Sequence, residues 1–248
     1  MQPKPLRPPH DYIVFPLDVP SAEAAGPLVD ALRGAVGMFK IGLELFVREG
    51  PAVVDLVRRR GAARIFLDLK LHDIPATVEG AMRAAAALGV DCVTVHCGES
   101  AAMLEAAVRG AAGRTAVLGV TVLTSVGPDD LRRVGVREAW AAAPETLVLA
   151  RAAMAAAAGC AGVVCSPREL APLKARFGDA LRFVTPGIRP SAGPVPDDDQ
   201  KRVATPAAAV RAGADDLVIG RPIRSAADPR RAAAAIAREI AAVLNAEP

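Results

Sequence analysis

Aromatic residues make up only 3% of this 248-residue chain. With 52% of the residues hydrophobic, the core must be built mainly from Ala, Val, Leu and Ile. Cysteine is also scarce. The four (Cys92, Cys97, Cys160, Cys165) contain no CxxC pair, and their spacings of 5, 63 and 5 residues match no common zinc pattern. They read as buried, reduced thiols of a cytosolic protein. No apolar run reaches the ~18 residues that span a bilayer. The opening "MQPKPLRPPHDY" is rich in Pro and has no apolar stretch of the secretory type, so residues 1–10 are expected to be a disordered tail. Charge of one sign is lacking as well: the formal net charge is only +3. The Arg58-Arg59-Arg60 triplet reads as a solvated helix end, and no nucleic-acid partner is expected. What remains is a soluble, cytoplasmic enzyme or binding domain.

What is present is a rhythm. Apolar β-type runs occur at 12–18, 36–42, 64–70, 91–96, 115–123, 161–166, 181–186 and 215–220. Ala-rich helical stretches separate them, several ending in a glycine (Gly61, Gly89, Gly213), as helix C-termini often do. The last helix is expected from about Pro229 to Leu244. Continuous apolar strands are those buried on both faces of a parallel sheet. Eight of them, each followed by a helix, predict a single-domain (β/α)8 TIM barrel over residues 11–248. An open doubly wound sheet is the competitor. It usually begins with a Gly-rich phosphate turn, whereas the first turn here, "LDVPSAEAA", has no glycine.

In such a barrel the chemistry gathers at the C-terminal strand ends. The stretch "FLDLKLHDIP" (66–75) is the most charged of them. Side chains of a strand alternate faces, so Asp68 and Lys70 point together into the barrel mouth if the strand stays regular. Asp73 lies just beyond, and Lys40 and Asp18 reach the rim from neighbouring strands. Lys40, Asp68, Lys70 and Asp73 form a series of alternating sign that can be desolvated together. His72 shares the parity of Lys70. A structural ion-pair network is the alternative to a catalytic one.

The loops after strands 7 and 8 of a barrel often grip a phosphate. "TPGIRP" (185–190) and "IGRPI" (219–223) sit there. Gly187 and Gly220 allow close backbone approach, while Arg189 and Arg221 supply forked donors. Between them runs a long segment, 187–206, rich in Gly, Pro and Asp. It reads as a lid carrying Gln200.

These segments together resemble the orotidine 5′-phosphate decarboxylase family. The resemblance rests on "LDVPS", "FKIGLELF", "FLDLKLHDIPATV", "VTVH", "VTVLTS", "VTPGIRP", "DDQKRVATP" and "GADDLVIGRPI", in that order, over about residues 11–245. It implies decarboxylation of orotidine 5′-monophosphate by a homodimeric barrel with shared active sites, no metal and no organic cofactor. It implies Lys70 as proton donor to C6 of the pyrimidine and Asp68 against the substrate carboxylate. Lys40 and Asp73 complete the array, and Asp18 with Lys40 holds the ribose. Asp73, Ile74 and Thr77 come from the partner subunit. Thr124 or Ser125 meets the pyrimidine, while Pro186, Arg189, Gln200, Gly220 and Arg221 hold the phosphate and closing loop. No role falls on His72. Two departures stand out: "HCGES" after strand 4, and Pro16 at a position that is usually small.

Two other readings remain open. One is a sister barrel, a metal-dependent 3-keto-gulonate- or hexulose-phosphate enzyme that shares the D-x-K-x-x-D strand; Glu44 offers it a second acid. The other is a non-catalytic nucleotide-binding barrel, which has no need of a lysine held between acids.

Overall fold

The computed structural model describes residues 7–190 and 204–246. Eight parallel strands pair in chain order and close into a barrel. They are β1 (Ile13–Pro16), β2 (Met38–Gly42), β3 (Ile65–Leu71), β4 (Cys92–His96), β5 (Ala116–Val120), β6 (Gly162–Val164), β7 (Arg182–Thr185) and β8 (Asp216–Val218). The closing pair is β1 with β8, where Ile13 stands beside Leu217 and Val14 beside Val218. All eight expected runs form strands. Most are shorter than the apolar runs, because pairing stops where the chain leaves the ladder to build the loops of the mouth.

The helices are α1 (Ala22–Leu32), α2 (Leu43–Glu49), α3 (Ala52–Arg59), α4 (Pro75–Ala87), α5 (Ala101–Ala111), α6 (Pro128–Arg133), α7 (Glu138–Ala141), α8 (Pro144–Ala157), α9 (Leu170–Phe177), α10 (Pro206–Arg211), α11 (Arg221–Arg224) and α12 (Pro229–Leu244). Their starts are chemically marked. Ser21, Ser100, Thr205 and Asp228 each accept a hydrogen bond from a backbone N–H three residues on, which satisfies an otherwise orphaned donor. Proline at the first helical position, as at Pro75, Pro144 and Pro229, loses no internal hydrogen bond. Gly61, Gly89 and Gly213, each one residue past a helix cap, all have positive φ. The Arg58–Arg60 triplet ends α3 exposed to solvent.

Strand alternation sorts the apolar residues into two cores. Val14, Met38, Phe66, Cys92, Leu118 and Val184 fill the barrel interior. Phe15, Phe39, Ile41, Leu67, Val93, Val95, Val163, Phe183 and Leu217 face the helical ring. Phe15 and Phe39 meet edge to face, their centroids 6.2 Å apart. Each fully buried side chain of this size contributes about 1.5–3 kcal/mol, so few aromatics suffice. All four thiols are buried and unpaired. Burial pushes those of Cys97 and Cys160 up to about 12.

At the N-terminal end of the barrel, Arg182 at the start of β7 forms a forked pair with Asp216 at the start of β8, one bond being 2.7 Å long. Asp216 is only 1% exposed. Arg7 joins the same carboxylate at 3.4 Å and stacks 4.3 Å over the ring of Tyr12. Pro9–Tyr12 form one turn of 3-10 helix. Residues 7–10, expected to belong to a disordered tail, are therefore packed on the barrel, while residues 1–6 lie outside the described residues.

Candidate active site

The barrel mouth holds a cavity of about 360 Å³. Asp18, Lys40, Asp68 and Lys70 line it, together with Leu123, Thr124, Pro186, Gly187, Arg189, Gly220, Arg221 and Arg224. Its floor is apolar, formed by Phe66, Val120, Val164, Val184 and Val218. An apolar floor bordered by charged groups suits a heteroaromatic ring carrying anionic substituents.

Asp68 is the hub. It is 8% exposed, and a carboxylate buried that far needs partners. Lys70 Nζ lies 2.9 Å from both its oxygens. Lys40 Nζ is 3.2 Å from Oδ2 and 3.5 Å from Asp18 Oδ1. The Thr94 hydroxyl donates to Oδ1 at 2.9 Å. Burial alone pushes the Asp68 carboxyl upward, but the Lys40 and Lys70 ammonium groups and the hydrogen bonds of Lys70 and Thr94 outweigh it. They hold it below its ordinary value of 3.8. Asp68 thus stays ionised and keeps Lys70 aimed into the cavity.

Asp68 and Lys70 meet as strand parity predicts, but β3 is not regular to its end. Lys70 has φ of +50°, a left-handed conformation that costs a residue bearing a Cβ about 1–2 kcal/mol. Opposite it the pairing slips: Leu67 stands beside Val93 and Leu71 beside Val95, so four steps of β3 span two of β4. The extra length forms a bulge, a device that re-aims a side chain.

Asp73 does not join the array within this chain. β3 ends at Leu71, and the Asp73 carboxylate turns back to accept the N–H of Ile74 at 2.6 Å. Asp73, Ile74 and Thr77 are exposed and lie outside the cavity lining; Ile74 presents 67% of its surface to solvent. Ser125 is exposed and also outside the lining, while Thr124 is in it. His72 lies at the rim, 3.5 Å from Glu99 and with its ring 5.4 Å from that of His96. Burial, then the electrostatic influence of the neighbouring His72, Lys70 and Arg151, lower the His96 pKa from its ordinary 6.5.

The β7 and β8 loops stand where the phosphate argument places them. The two flanks of the long segment are clamped: Arg189 N–H donates to Ala204 O at 2.9 Å, and Ala204 N–H donates to Gly187 O at 3.2 Å. Gln200 and the rest of 191–203 lie outside the described residues. Gly220 caps α11 and lies against Pro16, whose Cγ would sit 2.8 Å from any Cβ added there. The bulky Pro16 of β1 is thus accommodated by a glycine across the β1–β8 seam. Two contributors escape sequence reasoning. Arg224 lines the cavity and donates to the carbonyl of Asp18, tying the β8 loop to the β1 loop. Thr94 sits inside the "VTVH" segment, and its inward parity is the signal that marks it.

The family model described as "Orotidine 5'-phosphate decarboxylase / HUMPS family" matches residues 11–236. A protein of Desulfosudis oleivorans named orotidine 5′-phosphate decarboxylase is 53% identical over 240 residues, covering 96% of each chain. One of the same name from Anaeromyxobacter dehalogenans is 51% identical over 233 residues, covering 92% of this chain and 98% of its own. A crystal structure titled as the orotidine 5′-phosphate decarboxylase of Lactobacillus acidophilus superposes with a TM-score of 0.80 at 35% identity, covering 92% of this chain and 98% of that one.

Proposed function

Since the chain belongs to the orotidine 5′-phosphate decarboxylase / HUMPS family, we propose that it decarboxylates orotidine 5′-monophosphate to uridine 5′-monophosphate and carbon dioxide, the last step of de novo UMP synthesis. The observation that supports this most is the Lys70 ammonium, seated on Asp68 at the border of a cavity that Arg189 and Arg221 also line.

In this reading the C6–carboxylate bond breaks and its electron pair stays on C6. Lys70 faces that charge and delivers its proton, giving the C6–H of the product, and is reprotonated from solvent. Asp68 lies against the substrate carboxylate. At ~4 Å and an effective dielectric of ~20 this like-charge contact costs about 4 kcal/mol. Enzymes supply roughly 8–23 kcal/mol in all, so relief of repulsion is the smaller part and preorganised stabilisation of the carbanion the larger. Lys40 and Asp18 hold the ribose hydroxyls. Thr124 meets the pyrimidine, and Pro186, Arg189, Gly220 and Arg221 take the phosphate. Binding energy from that remote group drives desolvation at the reacting carbon.

Asp73, Ile74 and Thr77, exposed at the start of α4, serve the cavity of a second copy in a homodimer. The reaction uses no metal or organic cofactor. Two ammonium groups already occupy the Asp68 carboxylate. Glu44, the acid a metal-dependent sister enzyme would use, is exposed on α2 and outside the lining. Among the described residues no group of three or more His, Cys, Asp or Glu is placed to hold a metal ion. The reading places the protein in the cytoplasm, with its thiols reduced; among the described residues no helix is long and apolar enough to cross a membrane.

Following the loss of orotidine absorbance tests this directly. Purified protein turns over orotidine 5′-monophosphate, and EDTA leaves the rate unchanged. Lys70→Ala abolishes turnover in a protein that still folds, and Arg221→Ala loses much of its rate. An inert wild type sinks the proposed activity; an active Lys70→Ala sinks the role given to Lys70.

A further inference from the structure

We infer that Thr94 is a positioning residue, which holds Lys70 and Asp68 in the geometry the reaction needs. This rests on the reading of Lys70 as proton donor. Thr94 lies on β4 with no exposed surface, on the inward parity of Cys92 and His96. A buried hydroxyl must be satisfied, and this one is satisfied twice. It accepts the backbone N–H of Lys70 at 2.9 Å and lies 2.9 Å from Asp68 Oδ1.

The direction of these bonds is fixed by chemistry. A backbone N–H only donates, and an ionised carboxylate only accepts. The single hydroxyl proton therefore points at Asp68. Lys70 Nζ donates to the same Oδ1 at 2.9 Å. The result is a closed ring that leaves Lys70 through its main chain, passes through Thr94 and Asp68, and returns to Lys70 through its side chain.

The ring explains how the bulge is held. The slip in pairing between Leu67 and Leu71 takes Lys70 off the regular β3–β4 register. Its N–H then needs another acceptor, and Thr94 Oγ1 supplies it; with the main chain anchored there and the side chain anchored on Asp68, the rotation between them is held at the left-handed φ of +50°. The same hydroxyl fixes one Asp68 oxygen while Lys40 holds the other at 3.2 Å. Rotation of the carboxylate is blocked, and with it drift of the ammonium resting on it. A misplacement of ~1 Å at a reacting group costs on the order of 100-fold in rate.

Three variants test this. Thr94→Val keeps shape but removes donor and acceptor, Thr94→Ala removes them without branching, and Thr94→Ser keeps both. Expected for Val and Ala is a kcat lower by about 100-fold with KM little changed. The acid limb of the kcat–pH profile moves to higher pH, because Asp68 loses a hydrogen bond that favours its ionised form. Serine restores kcat and the profile. Crystal structures give a readout independent of turnover: in Thr94→Val or Thr94→Ala, Lys70 leaves its left-handed φ or Nζ leaves Asp68. Should Val fail to fold, Ala carries the comparison. Wild-type kcat in either variant, a loss confined to KM, an equal loss in Ser and Ala, or an unmoved Lys70 overturns the proposal. A wild type without decarboxylase activity overturns the proposed function instead, and the crystallographic comparison still decides whether Thr94 sets the geometry.

Discussion

Lys70 carries two demands at once, a charge at its tip and a strained backbone at its base. The two separate in a pair of substitutions. Lys70→Gly and Lys70→Ala both remove the ammonium, but only glycine adopts φ of +50° without strain. Lys70→Gly is therefore expected to be the more stable by about 1 kcal/mol, read from urea midpoints. His96 gives a pH signature. Its folded pKa lies below 6.5, so the unfolded chain takes up the proton first as pH falls. Its contribution to stability is complete above 6.5 and is lost as pH drops through the folded pKa. Stability measured by urea should decline as pH falls from 6.5 toward the folded pKa in wild type, and decline less in His96→Gln. Residues of this kind differ in how far a sequence reveals them. Asp68 and Lys70 stand out because charges in an apolar run are costly, and parity pairs them. The bulge that aims Lys70 leaves no mark, since it depends on register against β4. Thr94 is hidden for another reason: threonine is ordinary in a strand, and only its neighbours in space give its hydroxyl a task.

Elements were more legible than their ends. Period and composition give eight strands, because burial on both faces demands continuous apolar runs. The same runs overshoot the pairing, most at β5, where 121–123 are apolar or small but belong to the mouth. The short helices α6, α7 and α11 are too brief to show a helical period. Packing between elements also sets conflicts that propensity alone misjudges. Gly110 lies inside α5, where alanine would normally gain about 0.5–1 kcal/mol. Here an added Cβ would fall 2.4 Å from the Glu79 carbonyl oxygen and 3.1 Å from Met82 Cβ on α4. The obstacle is backbone, so the helices must separate. Overpacking of this kind costs about 1–3 kcal/mol, and packing wins. Gly110→Ala is expected to lower the urea midpoint, while an exposed control such as Gly80→Ala, which meets nothing within 4 Å, should not.

The whole molecule divides its charges by function. Those at the C-terminal strand ends surround a cavity; those at the other end tie the barrel shut. Asp216 is nearly inaccessible and leans on Arg182 and Arg7. Removing one partner of a buried pair leaves a charge poorly compensated, at a cost of roughly 3–5 kcal/mol. Arg182→Leu should therefore lower stability by about 3 kcal/mol in chemical denaturation, with little change in KM for the substrate, because the pair sits at the far end of the barrel.

That seam also sets the order of assembly. Arg7 and Asp216 stand 209 residues apart in sequence, and β1 finds its second neighbour only in β8. During synthesis β1 emerges first and keeps one bare edge until almost the entire chain has left the ribosome. Loop entropy grows only slowly with length, so the distance costs time more than final stability. A chain released before β8 is made carries two unsatisfied parallel edges, the surface most ready to pair with another molecule.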